Sequence, residues 1–210
     1  MAGYTPSPRL RGEGTRACTM TTDAATNRIF GLEALLKAQG GKGPPPVERW
    51  NPPYCGDIGM KIRADGVWLY QGSPIGRMPL VRLFASVLRK DADGRYYLVT
   101  PAEKVDVDVA DAPFLAVEMQ VEGTGREQSL TFRTNVDDIV TAGAEHPLRF
   151  AVEPGSGGLK PYLLVRGRLE ALVTRALYYD LVELAVEEER EGRRQLGLWS
   201  GGRFFAMPAV

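Results

Sequence analysis

The chain has 210 residues, a hydrophobic fraction of 44%, and 26 basic against 26 acidic side chains. This composition allows one large globular domain or two small ones. The balanced charge argues against a dedicated nucleic-acid binder, which usually carries a basic excess, and no apolar run is long enough for a membrane span. Two cysteines, Cys18 and Cys55, are too few for a secreted disulfide scaffold, so a reducing, cytoplasmic location is predicted.

The N-terminal region divides into a tail and a predicted helix. Residues 1–19 contain arginines but no apolar signal region, which predicts a disordered tail and a folded unit that begins near Met20. The segment from Asn27 to Ala38 has apolar residues at helical spacing. A proline-rich connector follows, which is too irregular for a helix or a strand.

An N-terminal α+β domain is predicted over residues 20–110. Its first predicted element is a β-hairpin. The turn is placed at Asp65-Gly66 because glycine tolerates the positive φ of a tight turn. Pro79 then opens an amphipathic helix with an apolar face from Leu80 to Leu88. Further strands follow, and in one of them Asp106 alternates with valines, which predicts that its side chain faces solvent.

A C-terminal α+β domain is predicted over residues 111–210. It contains several strands, a short helix that starts near Asn135, and a helix that Thr174 can cap. A constant shift aligns the region of Arg77 with that of Arg175, in the shared order hairpin, arginine, helix, Gly-Arg, strand. The predicted fold class is therefore α+β, with two similar subdomains from a duplicated hairpin–helix–strand unit.

Several stretches are similar to a known bacterial family. The segments WNPPYCGDIGMKI, DGVWLYQGSPIGR, DGRYYLVTPAEKV, FRTN and EHPLRF resemble the domain of unknown function 1285 family, with similarity from about Ile29 to Met207. The resemblance implies a two-domain α+β core whose C-terminal half is pleckstrin-homology-like. It also implies a ligand site between the halves for a nucleotide-like molecule, together with a signalling role. It does not imply a particular enzymatic activity.

The segment GSPIGRMP is the leading candidate for anion binding. It opens the helix at Pro79, where free backbone amides favour an anion. Ser73 can donate a hydrogen bond, and Arg77 can hold a phosphate or carboxylate with two parallel bonds. The alternative is that glycine and proline only shape the connection, while Arg77 pairs with a local carboxylate.

Polar contacts from the second half are assigned to Arg133, Asn135, His146 and Arg149. This assignment follows the interface site that the resemblance implies, and the hydrogen-bonding capacity of these side chains. The predicted ligand is an anionic, nucleotide-like small molecule. Seven aromatic side chains could stack a nucleobase, although aromatic residues at strand and helix spacing are usually core: Trp50, Trp68, Tyr96, Tyr97, Tyr178, Tyr179 and Trp199.

Two further interpretations stay open from the sequence. One is a hydrolase that uses Cys55 or His146, which would require the two side chains to be within hydrogen-bond distance. The other is an adaptor that binds a protein partner through an exposed apolar patch. No metal site is predicted, since one histidine and one cysteine in the folded region cannot complete a zinc site of thiolates and imidazoles. No cofactor is predicted, and a non-catalytic binding protein is the preferred interpretation.

Overall fold

The structure, a computed structural model, describes residues 45–190 and 192–208. The predicted tail over residues 1–19 and the predicted helix from Asn27 to Ala38 lie outside these ranges. A 3-10 turn at Val47–Arg49 precedes the first strand. No helix in the described ranges has the length and apolar character needed to cross a bilayer.

The first half contains six strands and one helix in its described part. Their bounds are β1 Tyr54–Ile62, β2 Trp68–Tyr70, β3 Ser73–Pro74, α1 Met78–Ser86, β4 Leu88–Lys90, β5 Tyr96–Val99 and β6 Lys104–Val109. The predicted hairpin is confirmed: Met60 pairs with Tyr70, and Gly66 in the turn has a φ of +78°. In β1 the side chains of Met60 and Ile62 are buried while Lys61 is exposed, as strand alternation requires.

The second half contains the remaining strands and a second helix. Their bounds are β7 Phe114–Glu122, β8 Ser129–Thr134, β9 Ile139–Thr141, β10 Leu148–Val152, β11 Leu159–Arg166, β12 Leu169–Val173, α2 Arg175–Glu183, β13 Val186–Arg190, β14 Arg193–Ser200 and β15 Arg203–Ala206. Strands β13, β14 and β15 form a separate antiparallel sheet. Buried Ser200 attaches this sheet to the rest of the half, because its Oγ donates to Ala142 O at 2.7 Å and accepts from Leu130 N at 2.9 Å.

The two six-stranded sheets have the same topology. Their strand orders are β3-β2-β1-β6-β5-β4 and β9-β8-β7-β12-β11-β10. Each consists of two antiparallel three-stranded units, which the parallel pairs β1–β6 and β7–β12 join. The fold is therefore mixed α+β in two similar halves. The predicted order of hairpin, helix and strand occurs in both, but α1 lies between the third and fourth strands of its sheet and α2 follows the sixth strand of its own.

Side chains of the second half hold α1 against it. Arg166 donates from Nη2 to Ala85 O at 2.7 Å, its guanidinium lies 4.9 Å from the Phe114 ring centroid, and it also pairs with Asp138. Arg82 of α1 pairs with Asp137. Buried apolar residues of both halves belong to one continuous core, so the halves form one packed unit.

The Asp65-Gly66 turn is a second point of contact between the halves. A β-carbon placed at Gly66 would lie 2.8 Å from Asn135 Nδ2 and 3.0 Å from Leu115 Cδ1. Asn135 is fixed in this position, since its Oδ1 accepts from Leu115 N at 3.0 Å and its own N donates to Leu115 O at 2.8 Å. The turn therefore packs closely against the second half.

Three predictions about local structure were wrong or incomplete. No helix starts at Asn135: the chain forms a tight turn between β8 and β9, in which Asp137 has a φ of +68°. The helix α1 ends at Ser86, and Leu88 is a strand residue that pairs with Leu98. Thr174 occupies the N-cap position of α2 as predicted, but its side chain makes no capping hydrogen bond.

The predicted exposure of Asp106 was also wrong. Its side chain is buried, and its carboxylate accepts hydrogen bonds from Tyr54 Oη and, at 2.7 Å, from Arg95 Nη2. A strand whose apolar residues alternate with aspartate does not have a solvated polar face when residues of neighbouring segments supply donors to the carboxylate. Tyr54 belongs to β1 and Arg95 to the turn before β5, and the sequence of β6 alone does not contain this information.

Candidate functional site: a cleft between the halves

An open cleft lies between the two halves, beside the edge strand β4. One wall consists of Glu48–Asn51, and the second consists of Arg89–Ala92. The turn Gly167–Arg168, between β11 and β12, lines it from the second half. The volume is about 510 Å³, which lies within the ~300–1,000 Å³ typical of small-molecule sites.

The two halves approach each other closely at one side of this cleft. A β-carbon at Gly167 would lie 2.8 Å from Glu48 Oε1, and Gly167 has a φ of +53°. This left-handed conformation suits glycine, which has no β-carbon to clash with its own backbone. The approach places the 3-10 turn of the first half beside the β11–β12 turn of the second.

Arg89 fixes the geometry of the first-half walls. Its Nη1 donates to Val47 O and to Trp50 O, both at 2.8 Å. Its Nε and Nη2 donate to the two carboxylate oxygens of Asp91, at 2.6 and 3.2 Å. The side chain is only 9% exposed, so its charge is removed from water and depends on these four bonds. Arg89 therefore attaches the 3-10 turn to β4 and positions both walls.

Asp91 is the carboxylate that neutralises this arginine. Partial burial alone would raise the pKa of the Asp91 carboxyl, but hydrogen bonds from Arg89 and from Lys104 Nζ, the latter at 3.1 Å, lower it below its ordinary value of 3.8. Asp91 is therefore ionised at neutral pH. Because Arg89 and Asp91 compensate each other, neither supplies net charge to the cleft.

A pH-dependent loss of stability is expected from this pair. We expect Asp91→Asn to lower the free energy of unfolding at neutral pH by about 1–2 kcal/mol, because Arg89 keeps weaker acceptors. A carboxyl whose pKa is lowered on folding stabilises the protein above its ordinary pKa, 3.8 here, and this contribution is lost as the pH falls toward the folded-state value. The difference between wild type and Asp91→Asn should therefore shrink in urea unfolding at about pH 3. A difference of the same size at both pH values would contradict this assignment.

Three cations in the cleft have no carboxylate partner among the described residues. Arg49 and Arg168 are exposed, and neither forms an ion pair or side-chain hydrogen bond within residues 45–190 and 192–208. Lys90 lies 4.9 Å from the Tyr96 ring centroid and likewise has no ion pair there. Among the described residues, Glu48 carries the one other charge in the lining without an ion-pair partner, so the described part of the cleft is net positive and suited to an anion.

Trp50 is the aromatic side chain in the lining. It is partly exposed, and its backbone oxygen is one of the two that Arg89 holds. A partly exposed indole beside several cations can stack on a planar ring while the cations bind an anionic group. Trp50 is one of the seven aromatic residues that the sequence suggested for stacking.

The six residues predicted to contact the ligand lie elsewhere. Ser73 and Arg77 are exposed, and their side chains make no ion pair or hydrogen bond within the described part of the chain. Arg77 is the N-cap residue of α1. Neither of them lines the cleft beside Trp50, so an anion site at the start of α1 stays a prediction.

The four residues predicted from the second half have internal partners. Arg133 pairs with Glu118 and, at 2.8 Å, with Asp137. Arg149 donates to both oxygens of Glu170 at 2.5 and 2.7 Å. Asn135 binds the backbone of Leu115 as described above, and His146 Nδ1 lies 3.1 Å from Leu164 O. Within the described residues, no hydrogen bond or ion pair joins any of these four to Ser73 or Arg77, and their role as ligand contacts stays a prediction.

The residues of the hydrolase alternative have backbone partners as well. Cys55 is buried in β1, and its Sγ donates to Pro53 O at 3.7 Å. His146 precedes β10 in the other sheet and contacts Leu164 O. No group of three or more metal-ligating side chains occurs in the described ranges. The described geometry thus gives the hydrolase alternative no supporting contact.

Sequence reasoning missed Arg49, Lys90 and Arg168. Arg49 lies in a segment that the proline content marked as a connector, and Arg168 follows a glycine in a hairpin turn. Their common feature, the absence of a carboxylate partner, depends on tertiary structure. A local signal did exist, since Arg49 directly precedes Trp50, but one arginine beside one tryptophan is not specific.

Comparison with known proteins identifies relatives of this chain. Residues 45–112 match the family model for the N-terminal domain of DUF1285, a domain of unknown function, and residues 113–207 match that for the C-terminal domain of the DUF1285 proteins of unknown function. No curated protein matches the chain.

Two solved structures are similar to it. A DUF1285 family protein from Silicibacter pomeroyi DSS-3 is 49% identical with a TM-score of 0.77, and the match covers 86% of this chain and 96% of that one. A DUF1285 family protein from Shewanella baltica OS155 is 29% identical with a TM-score of 0.47, and the match covers 60% and 91% of the two chains.

Proposed function

The chain belongs to the DUF1285 family, and on that premise we propose that it is a non-catalytic signalling protein. It binds an anionic, nucleotide-like small molecule in the cleft between its halves. The observation that carries this proposal is the convergence of Arg49, Lys90 and Arg168 on one cleft without a carboxylate partner among the described residues.

Electrostatics supports an anion as the ligand. Most arginines of the second sheet, such as Arg133 and Arg149, are paired with carboxylates, so their guanidinium groups already have acceptors. Arg49 and Arg168 have no such pairing in the described ranges, and an arginine can hold a phosphate through two parallel hydrogen bonds. Lys90 adds a point charge beside them.

Trp50 supports a nucleotide-like ligand over a simple inorganic anion. Stacking on an aromatic side chain contributes about 1–3 kcal/mol per base in nucleic-acid complexes. The cleft volume of about 510 Å³ leaves room for a base and a phosphate group. An inorganic phosphate would use the cations and leave the indole without a ligand contact.

The signalling role is supported by the origin of the lining residues. Arg49 and Lys90 belong to the first half, whereas Arg168 belongs to the second. A ligand that bridges them adds to the contacts that already join the halves, so its binding is coupled to the stability of that interface. A pleckstrin-homology-like C-terminal half and a cytoplasmic location complete the proposal. The first comes from family resemblance and the second from the low cysteine content.

A thermal-shift screen tests the proposal. The panel contains adenosine and guanosine monophosphates and diphosphates, inorganic phosphate and pyrophosphate. A ligand that binds only the native state raises its melting temperature, so at least one nucleotide should raise that of the wild type, and Arg168→Ala should reduce the shift. The proposal would be contradicted if no nucleotide in the panel raised the melting temperature of the wild type. It would also be contradicted if the melting temperature of Arg168→Ala rose by the same amount as that of the wild type.

A further inference from the structure

A second cavity lies within the C-terminal half, away from the cleft. The loop before β11, the first residues of β11, the end of β12 and the start of α2 surround it. Its volume is about 430 Å³, again within the ~300–1,000 Å³ of small-molecule sites. No residue lines both this cavity and the cleft beside Trp50.

The inner surface of this cavity is apolar. It consists of Leu159 and Pro161 from β11, Leu172 and Val173 from β12, and Tyr178 from α2. Pro161 and Val173 are buried, whereas Leu159, Leu172 and Tyr178 are partly exposed. Apolar side chains that stay partly exposed in a concave surface gain free energy when an apolar ligand displaces the water from them.

Most of the charges at the rim are compensated. Lys160 Nζ pairs with Asp111 at 3.1 Å and with Glu153 at 2.9 Å. Glu153 also accepts from Ser156 Oγ at 2.7 Å. Lys160 therefore has two acceptors already, and Glu153 offers no free negative charge.

Arg175 is the exception at this rim. Its Nε donates to Tyr179 Oη at 3.1 Å, and this neutral phenol is its only side-chain partner in residues 45–190 and 192–208. Both Nη groups therefore remain available for an acceptor. Because Arg175 is exposed at the start of α2, it can bind an anionic group at the mouth without burying its charge.

We propose that this cavity binds a small monocarboxylate with an apolar body. The body occupies the surface of Leu159, Pro161, Leu172 and Tyr178, and the carboxylate accepts from the two Nη groups of Arg175. A single anionic group matches the single uncompensated cation, and an apolar body matches the rest of the lining. This site is independent of the cleft between the halves.

Calorimetric titration with octanoate tests this inference. Octan-1-ol has the same chain without the carboxylate, and acetate has the carboxylate without the chain. Wild type should bind octanoate about tenfold more tightly than either, since a hydrogen bond to a charged group and the burial of the chain both contribute. Arg175→Gln should bind octanoate about tenfold more weakly than wild type does.

Arg77→Gln is the matched control, because Arg77 is likewise an exposed arginine at the start of a nine-residue helix. It should bind octanoate as wild type does. Wild type that fails to bind octanoate, or binds octan-1-ol as tightly, would overturn the proposal. So would Arg175→Gln with wild-type affinity for octanoate. Arg168→Ala should leave octanoate binding unchanged, which separates this result from that of the nucleotide screen.

Discussion

Replacing Arg89 with methionine is expected to lower the free energy of unfolding by about 2–4 kcal/mol. The substitution removes all four hydrogen bonds of the guanidinium, two of them to the backbone of the 3-10 turn. Within residues 45–190 and 192–208, it also leaves Asp91 with Lys104 as its only cationic partner. Since methionine fills a similar volume, the loss reflects the polar contacts rather than a cavity. Urea unfolding at neutral pH measures the change.

Arg63→Met is the matched control for this experiment. Arg63 and Asp65 are also an arginine and an aspartate two positions apart, but their side chains are 58% and 48% exposed, against 9% and 22% for Arg89 and Asp91. An exposed pair contributes about 0–1 kcal/mol. A loss in Arg89→Met no greater than that in Arg63→Met would show that Arg89 does not hold the cleft walls.

Gly66→Ala is the second change with a large expected effect. Alanine at a φ of +78° is strained, and its β-carbon would meet Asn135 and Leu115 of the other half. We expect a loss of about 2–4 kcal/mol in the free energy of unfolding, from backbone strain together with overpacking. The contact cannot relax easily, because Asn135 is hydrogen-bonded to the backbone of Leu115. Thermal and urea unfolding both measure this loss.

Gly94→Ala isolates the backbone contribution. Gly94 also follows an aspartate in a hairpin turn and has a φ of +81°, but a β-carbon there would have nothing within 4 Å. The free energy of unfolding of this variant should fall by only about 1 kcal/mol, which is the cost of the strained φ. Equal losses in the two variants would mean that the Asp65-Gly66 turn does not pack against the second half as described.

Local features of the fold were predictable because their causes are local. The turn at Asp65-Gly66 is specified by an aspartate and a glycine between two alternating strands, and Pro79 favours a helix start because its fixed φ suits the first turn. The predictions failed for residues whose secondary structure or exposure depends on contacts with segments distant in sequence. Leu88 continues the apolar face of α1 in sequence, but it pairs with Leu98 in a sheet. Asp106 alternates with valines, but Tyr54 of β1 and Arg95 of the turn before β5 donate to its carboxylate.

The candidate site was less predictable than the fold. The family resemblance placed a ligand site between the halves, and the sequence assigned Arg77, Arg133 and Arg149 to it, but none of these three lines the cleft beside Trp50. Arg89 donates to carbonyl oxygens 42 and 39 residues away in sequence. Arg49 and Arg168 line the same cleft because the β11–β12 turn lies beside the 3-10 turn. Arg133 and Arg149 were equally plausible in sequence, and only their carboxylate partners in the structure distinguish them.

Calorimetric titration with the nucleotide that gives the largest thermal shift tests the central claim most directly. The proteins are wild type, the double variant Arg49→Ala/Arg168→Ala, and Arg77→Ala. The account predicts that the double variant binds the nucleotide about 10- to 100-fold more weakly than wild type does. Arg77→Ala should stay within about twofold, since an exposed charge outside the cleft is screened by salt. Wild-type affinity in the double variant, with a loss in Arg77→Ala, would contradict the account and place the anion at the start of α1.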